Sequence, residues 1–301
     1  MSFKSGFVAL IGRPNAGKST LVNQIMQDKI AIVSNKAQTT RNMIRAILTE
    51  EDSQIIFIDT PGIHKPQNEM GKQLNRLAFS ALEGVDLIYF LVDVTKTFGK
   101  GDQFVLEICK RQNLPIYLIL NKIDLLSKKV LIEKLMEYEN LHLFDEIIPI
   151  SALRNDNIDH LLKITKDLLP ISEALYPKDM ITEFPEQFFI TEWIREQILQ
   201  TTSEEIPHSI AVLLDEYKED KNSIFIQASI VVERDSQKAI IIGKNGQKLK
   251  SIGQAARENL EKRLKKPIYL DLFVKVEKNW RNSQNKLNAF SLNTTGQKFD
   301  E

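Results

Sequence analysis

The chain has 301 residues, more than one ordinary hydrophobic core organises, so two domains are expected. Its 43% hydrophobic and 27% charged residues are the balance of a soluble globular protein, and no apolar run approaches the ~18 residues of a membrane span. The formal charge of +0 hides an uneven distribution: residues 236–286 hold 13 Lys/Arg against 4 Asp/Glu, a net +9 that points to an anionic partner for that region. The single cysteine, Cys109, excludes an intramolecular disulfide and fits a reducing cytosol. It lies among Val105, Leu106 and Ile108 and reads as a packed thiol. The first strand starts near residue 7, which gives no sign of a signal peptide.

Residues 7–20 set the organisation. An apolar strand-like run ends at Gly12, and Gly12-Arg13-Pro14-Asn15-Ala16-Gly17-Lys18-Ser19-Thr20 spells G-x-x-x-x-G-K-S before a helical pattern carrying Leu21, Val22, Ile25 and Met26. Strand, glycine loop and helix is the context of a phosphate-binding P-loop. Its backbone N–H groups and the helix N-terminus attract a polyphosphate; Lys18 would reach the β- and γ-phosphates, and the Ser19 hydroxyl would hold Mg²⁺.

Further strand-like runs cover 43–48, 54–58, 87–92, 116–120 and 146–150, alternating with helical patterns at 70–82, 101–111, 128–141 and 156–169. The alternation predicts an α/β domain over residues 1–170, a mostly parallel sheet with helices on both faces. The charged turn at 49–53 predicts one antiparallel edge pair within 41–58. Ligands in such sheets sit beyond the C-terminal strand ends. After 58 comes Asp59-Thr60-Pro61-Gly62, a carboxylate for Mg²⁺ and a glycine N–H for a γ-phosphate. After 120 comes Asn121-Lys122-Ile123-Asp124, whose Asp124 carboxylate can accept two hydrogen bonds from the guanine edge, which adenine cannot supply. After 150 comes Ser151-Ala152-Leu153, with a backbone N–H for guanine O6. A threonine of Lys36-Ala37-Gln38-Thr39-Thr40-Arg41 can complete the Mg²⁺ shell.

Each piece alone is an ordinary turn or helix cap; together and in this order they resemble the small GTPase domain of the Ras-like superfamily. One departure stands out. Where Ras-like proteins carry a water-orienting glutamine after the D-x-x-G glycine, this chain has Ile63, which excludes glutamine-type catalysis. That resembles the subgroup with a hydrophobic residue there. By that resemblance Asn15 helps bind K⁺, Thr40 rather than Thr39 is the switch threonine, and Lys18, Thr40 and Gly62 carry catalysis.

Residues 171–186, with Pro177 and Pro185, read as a linker. A helix follows from 187 with Phe188, Ile190, Trp193, Ile194 and Ile198 as its apolar set, then extended runs at 209–216 and 223–234. Ser236 is the expected N-cap of a short helix ending at Ile242. Gly243-Lys244-Asn245-Gly246 is a G-x-x-G turn into a longer helix towards 265, and the last strand covers 267–277. Helix, GxxG, helix within the basic window is the mark of a KH domain of bacterial type, which clamps about four nucleotides of single strand. Ile242 and the turn would let the strand approach closely, while Lys244, Lys248 and Lys250 neutralise phosphates. The KH domain is placed at 187–281 and a polar tail at 282–301.

The two domains in sequence resemble the Era family of GTPases; 38–41, 236–238 and 274–280 add to that resemblance. It implies GTP/GDP binding with Mg²⁺, hydrolysis, and binding to the 3′ end of small-subunit ribosomal RNA in assembly of that subunit, by a cytoplasmic monomer. Two other readings keep the same motifs: an RNA-binding factor that uses GTP only as a structural ligand, and a GTPase of tRNA modification. The run Lys262-Arg263-Lys265-Lys266 would also suit peripheral contact with anionic lipid on the inner face of the membrane.

Overall fold

Residues 2–36, 38–202 and 206–290 are described by the structure, a computed structural model; Ala37 and residues 291–301, most of the stretch read as a tail, lie outside them. The described chain divides into two units. Among the described residues, the first comprises those up to Val33, Thr40–Gln67 and Gly71–Glu183; the second comprises those between Ser34 and Thr39, Asn68–Met70 and those from Phe184 onwards.

The first unit is built on a six-stranded sheet in the order β2-β3-β1-β4-β5-β6. Its strands are β1 (Lys4–Gly12), β2 (Ile44–Thr49), β3 (Ser53–Asp59), β4 (Leu87–Asp93), β5 (Ile116–Asn121) and β6 (Glu146–Ile150). The helices between them are α1 (Lys18–Met26), α2 (Glu69–Ser80, whose first residues fall in the second unit), α3 (Lys100–Lys110), α4 (Lys128–Glu139) and α5 (Ile158–Leu168). β3 and β4 are buried along their whole length, as central strands covered on both faces must be. All neighbours are parallel except the expected edge pair β2–β3. The registers pair Leu10 with Asp59, Gly12 with Leu91, Asp93 with Asn121, and Asn121 with Ile150. The motif residues at the strand ends therefore lie along one edge of the sheet. Beneath that edge a core joins Ile11, Ile58, Phe90, Val105 and Cys109. Burial pushes the Cys109 thiol up to about 12, so it is packed and unreactive.

The second unit holds a three-stranded sheet, β7 (Ala211–Glu219), β8 (Ile224–Val232) and β9 (Ile268–Val276). β7 runs antiparallel to β8 with a bulge between Leu214 and Glu216; β9 is parallel to β8 and lies at an edge. Helix α6 (Glu186–Thr201) packs on β7 and on α9 (Gln247–Leu264), and α9 also packs on β9. Ile226, Ala228 and Ile230 of β8 and Ile252, Ala256 and Leu260 of α9 are fully buried. A short α7 (Ile206–Ser209) precedes β7, and the Ser209 carbonyl accepts a 3.1 Å bond from the indole N–H of the buried Trp280.

Two local expectations change. The helix read as capped by Ser236 is α8 (Asp235–Ile242), which starts before it; Gln237 Oε1 reaches back to accept from the N–H groups of Glu233 (2.9 Å) and Arg234 (3.2 Å). A glutamine at the third helical position thus reaches back to the residues before the helix, where a serine cap was expected. Within the stretch read as a polar tail, residues 284–289 form α10 (Gln284–Ala289), anchored by the fully buried Leu287. One apolar side chain among polar ones gave no periodicity to read. Among the described residues no helix is long and apolar enough to cross a membrane.

Candidate functional site

The phosphate end is assembled by β1, α1 and β3. Gly17 sits at φ 99, and a Cβ there would lie 2.1 Å from the Asn121 side-chain nitrogen, so torsion and space both demand glycine. Lys18 is buried and donates to the carbonyls of Gly12 and Arg13, each at 3.3 Å, closing the loop around itself. Burial pushes its ammonium down to about 8, against the pull of Asp59. The Asp59 carboxyl is pushed up to about 6, again by burial, opposed by Lys18 and by hydrogen bonds from Ser19 and Thr60. Arg13 is tied to Asp102 of α3 at 3.2 Å. Asn15 has left-handed backbone, φ 65, in the loop between Pro14 and Ala16, and Thr20 lies in the first turn of α1.

Ser19, Thr40 and Asp59 come together. Ser19 Oγ donates to Asp59 Oδ2 at 2.6 Å and lies 2.8 Å from Thr40 Oγ1. The Thr39 hydroxyl points elsewhere, donating to the Lys36 carbonyl at 2.7 Å. Asp59 Oδ1 is buried with no hydrogen-bond partner. A buried carboxylate oxygen left unpaired is costly unless water or a cation meets it. Two hydroxyls and a carboxylate with a spare oxygen are hard donors, and they fit Mg²⁺.

The Asp59–Gly62 turn is pressed onto the P-loop. Thr60 Oγ1 donates to the Leu10 carbonyl at 2.6 Å, a Cβ on Gly62 would lie 2.6 Å from Pro14, and the Ile63 N–H donates to the Gly12 carbonyl at 3.1 Å. The Ile63 side chain is turned into the core, 2% exposed.

At the base end Asn121 is the staple. Its side-chain N–H₂ donates to the Ala16 carbonyl at 2.9 Å, and its Oδ1 accepts from the N–H groups of Lys122 (2.8 Å) and Ala152 (3.0 Å). The Ala152 N–H, expected for guanine O6, is thus donated to Asn121. Asp124 Oδ1 accepts from Ser151 Oγ at 2.6 Å, which aims the carboxylate, while Leu153 is exposed.

The candidate RNA interface lies in the second unit. In the turn between α8 and α9, Gly243, Asn245 and Gly246 all have positive φ (70, 52 and 74). Beyond Gly246 a Cβ would meet nothing within 4 Å, so this backbone faces open space that another chain can enter. Lys244, Asn245 and Lys250 are exposed around it; Ile242 and Lys248 are half-buried. From the turn a groove of about 490 Å³ runs between α9 and β9, with Lys250, Gln254 and Arg257 on one wall and Leu270 and Leu272 on the other. The motif did not include the last four of these. The 250, 254, 257 spacing marks one helix face, but the facing leucines need β9 alongside α9. Of the basic run considered for lipid, Arg263 bonds Asn259 at 2.8 Å and lies over the Trp193 ring at 4.8 Å, and Lys266 pairs with Glu219.

Known proteins share this arrangement. Residues 7–122 match the family described as 50S ribosome-binding GTPase, and residues 205–281 match the KH domain family. The chain is 50% identical to the GTPase Era of Staphylococcus epidermidis over 283 residues, 94% of this chain and 95% of that protein. It superposes at a TM-score of 0.93, with 39% identity over 96% of this chain and 99% of the other, on Era of Aquifex aeolicus bound to GDP and AlF₄⁻. The same figures hold for Era in complex with MgGDPNP and nucleotides 1506–1542 of 16S ribosomal RNA.

Proposed function

The chain belongs to the Era family, a GTPase domain followed by a KH domain, and from that premise we propose how its own residues divide the work of a GTP-hydrolysing switch that binds 16S ribosomal RNA in small-subunit assembly. The observation that carries the reading is the likeness over both units to Era in complex with MgGDPNP and RNA.

In this reading Gly12 to Thr20 wrap the phosphates, and a polyphosphate beside Lys18 favours its ammonium and offsets the cost of burial. Ser19, Thr40 and Asp59 hold Mg²⁺, which when bound neutralises phosphate charge. Thr60 and Pro61 shape the turn that offers the Gly62 N–H to the γ-phosphate. Asn121 braces the base site, Lys122 and Asp124 contact guanine, and Ser151 to Leu153 close it. Catalysis by Lys18, Thr40 and Gly62 then rests on positioning and charge neutralisation, because Ile63 is committed to the core. K⁺ beside Asn15 would add positive charge there. At the KH turn, Gly243 to Gly246 admit the RNA backbone while Lys244, Lys248 and Lys250 meet its phosphates.

Ribosomal RNA as partner implies the cytoplasm as compartment, and one copy of the chain suffices. Peripheral membrane contact through 262–266 is disfavoured by the partners already held by Arg263 and Lys266. The test is equilibrium binding of the 1506–1542 RNA fragment with GDPNP or GDP, beside GTP turnover. Saturable binding together with phosphate release is expected. Turnover without RNA binding would favour the tRNA-modification reading; binding without turnover would favour a GTP-liganded factor.

A further inference from the structure

The stretch after Gly62 is tied to α2 by a side chain that belongs to none of the nucleotide motifs. Asn75 lies in the middle of α2 among the buried Met70, Leu74, Leu77 and Ala78, and is itself 8% exposed. An amide in such a position is costly unless its polar atoms are matched. Both are matched by the main chain of a single residue. Asn75 Nδ2 donates to the His64 carbonyl at 2.8 Å, and Asn75 Oδ1 accepts a longer bond from the His64 N–H at 3.4 Å. From His64 the ties run back towards the glycine. His64 Nδ1 lies 3.0 Å from the Gly62 carbonyl, and since a carbonyl only accepts, the ring N–H is the donor. Between them the Ile63 N–H donates to the Gly12 carbonyl at 3.1 Å. The turn is therefore held at Gly62, Ile63 and His64, while the Gly62 N–H itself makes no hydrogen bond among the described residues.

We propose that Asn75 is a positioning residue for the γ-phosphate: by holding the main chain of His64, it keeps the turn at 62–64 where the Gly62 N–H can donate to that phosphate. The inference rests on the reading of Gly62 as the γ-phosphate donor. GDP carries no γ-phosphate, so the clamp bears on GTP and its analogues and leaves GDP binding alone. Without the clamp the turn divides its time among several arrangements. A nucleotide that needs one of them then binds more weakly, in proportion to the fraction of time that arrangement is present. At saturation GTP itself holds the turn, so the cost falls on affinity more than on kcat. The device suits a chain whose Ile63 is committed to the core, because hydrolysis there rests on placed backbone and charge.

The test compares Asn75→Ala and Asn75→Asp with the parent by GDPNP affinity, GDP affinity, KM and kcat for GTP, and thermal midpoint. Asn75→Asp keeps the shape of the side chain and loses only the donor to the His64 carbonyl, so it reports on the clamp even where alanine at 75 unfolds the chain. In both variants the GDPNP dissociation constant and KM should rise about tenfold, with GDP affinity unchanged and kcat altered less than KM. Two controls accompany them. Leu74→Ala removes packing from the same helix without touching the clamp; it should lower the thermal midpoint and leave the ratio of GDPNP to GDP affinity as it is. Gly62→Ala puts a Cβ 2.6 Å from the Pro14 main chain and should displace the donor, so that ratio should fall. If Gly62→Ala keeps the parent's ratio, the γ-phosphate assignment itself is wrong. If Gly62→Ala behaves as expected, an unchanged ratio in Asn75→Asp overturns the proposal. So does a ratio that falls as far in Leu74→Ala as in Asn75→Ala, which would make the effect one of α2 stability alone.

Discussion

Asn121 Nδ2 donates a 2.9 Å hydrogen bond to the carbonyl oxygen of Ala16, so the end of β5 holds the floor of a phosphate loop 105 residues earlier in the chain. The same side chain accepts the N–H groups of Lys122 and Ala152. Asn121→Ala strands all three groups, and the two that are buried, the Ala16 carbonyl and the Ala152 N–H, cost ~1–3 kcal/mol each when left unpaired. GDP and GTP affinity should fall together by at least about tenfold, measured by titration with a fluorescent nucleotide. A change confined to one nucleotide would contradict the stapling role.

Ile63 is buried in the core cluster that also holds Ile58, Phe90 and Val105, and its backbone N–H donates to the Gly12 carbonyl of the P-loop. Ile63→Ala should therefore act on stability, lowering it by ~2–4 kcal/mol in a denaturant melt. Turnover at saturating GTP should change by far less than the ~100-fold that a positioned catalytic group supplies. Lys18→Ala should abolish nucleotide binding. A catalytic loss in Ile63→Ala matching that of Lys18→Ala would contradict the division of roles.

If Asn15 helps hold K⁺, exchanging K⁺ for Na⁺ at fixed ionic strength should slow phosphate release, and Asn15→Ala should remove the difference. Equal rates in both salts would leave Asn15 as a residue that shapes the loop through its left-handed backbone, φ 65.

Much of the nucleotide site was legible because each motif follows a strand, and glycine, proline and asparagine mark the turns that carry it. The six-strand alternation and the antiparallel edge pair follow from apolar runs whose period distinguishes strand from helix. The partners of those motifs were not legible. Asp93 meets Lys122 because β4 and β5 are neighbours in a register that pairs Asp93 with Asn121, and no local pattern encodes that. Leu270 and Leu272 face Arg257 only once α9 lies against β9. Composition left Thr39 and Thr40 alike; their different partners, the Lys36 carbonyl for one hydroxyl and Ser19 for the other, exist only in the fold. At α10 the buried Leu287 is a single apolar residue among polar ones, too little for any periodicity.

The groove residues give a graded expectation. Lys248→Ala, Lys250→Ala and Arg257→Ala should each weaken RNA binding and flatten the plot of log affinity against log salt by ~0.7 for each phosphate no longer neutralised. Leu270→Ala should weaken binding with no change of slope, since it removes apolar surface and no charge. A variant of Lys250 with an unchanged slope would place its ammonium away from the phosphates.

The chain carries a GTPase domain and a KH domain, whose proposed clamp on RNA is the backbone at Gly246. The decisive measurement is binding of the 1506–1542 RNA fragment by Gly246→Asp, with GDP affinity taken on the same preparation. The new Cβ would point into open space, so the fold should bear it at about 1 kcal/mol for the left-handed backbone. Gly246→Ala carries the same strain without the charge, and a melting curve of both variants checks folding. The carboxylate would stand where RNA phosphate must approach. Near-total loss of RNA binding is expected in Gly246→Asp, a partial loss in Gly246→Ala, and unchanged GDP affinity in both. A folded Gly246→Asp that binds the fragment as the parent does would refute the clamp.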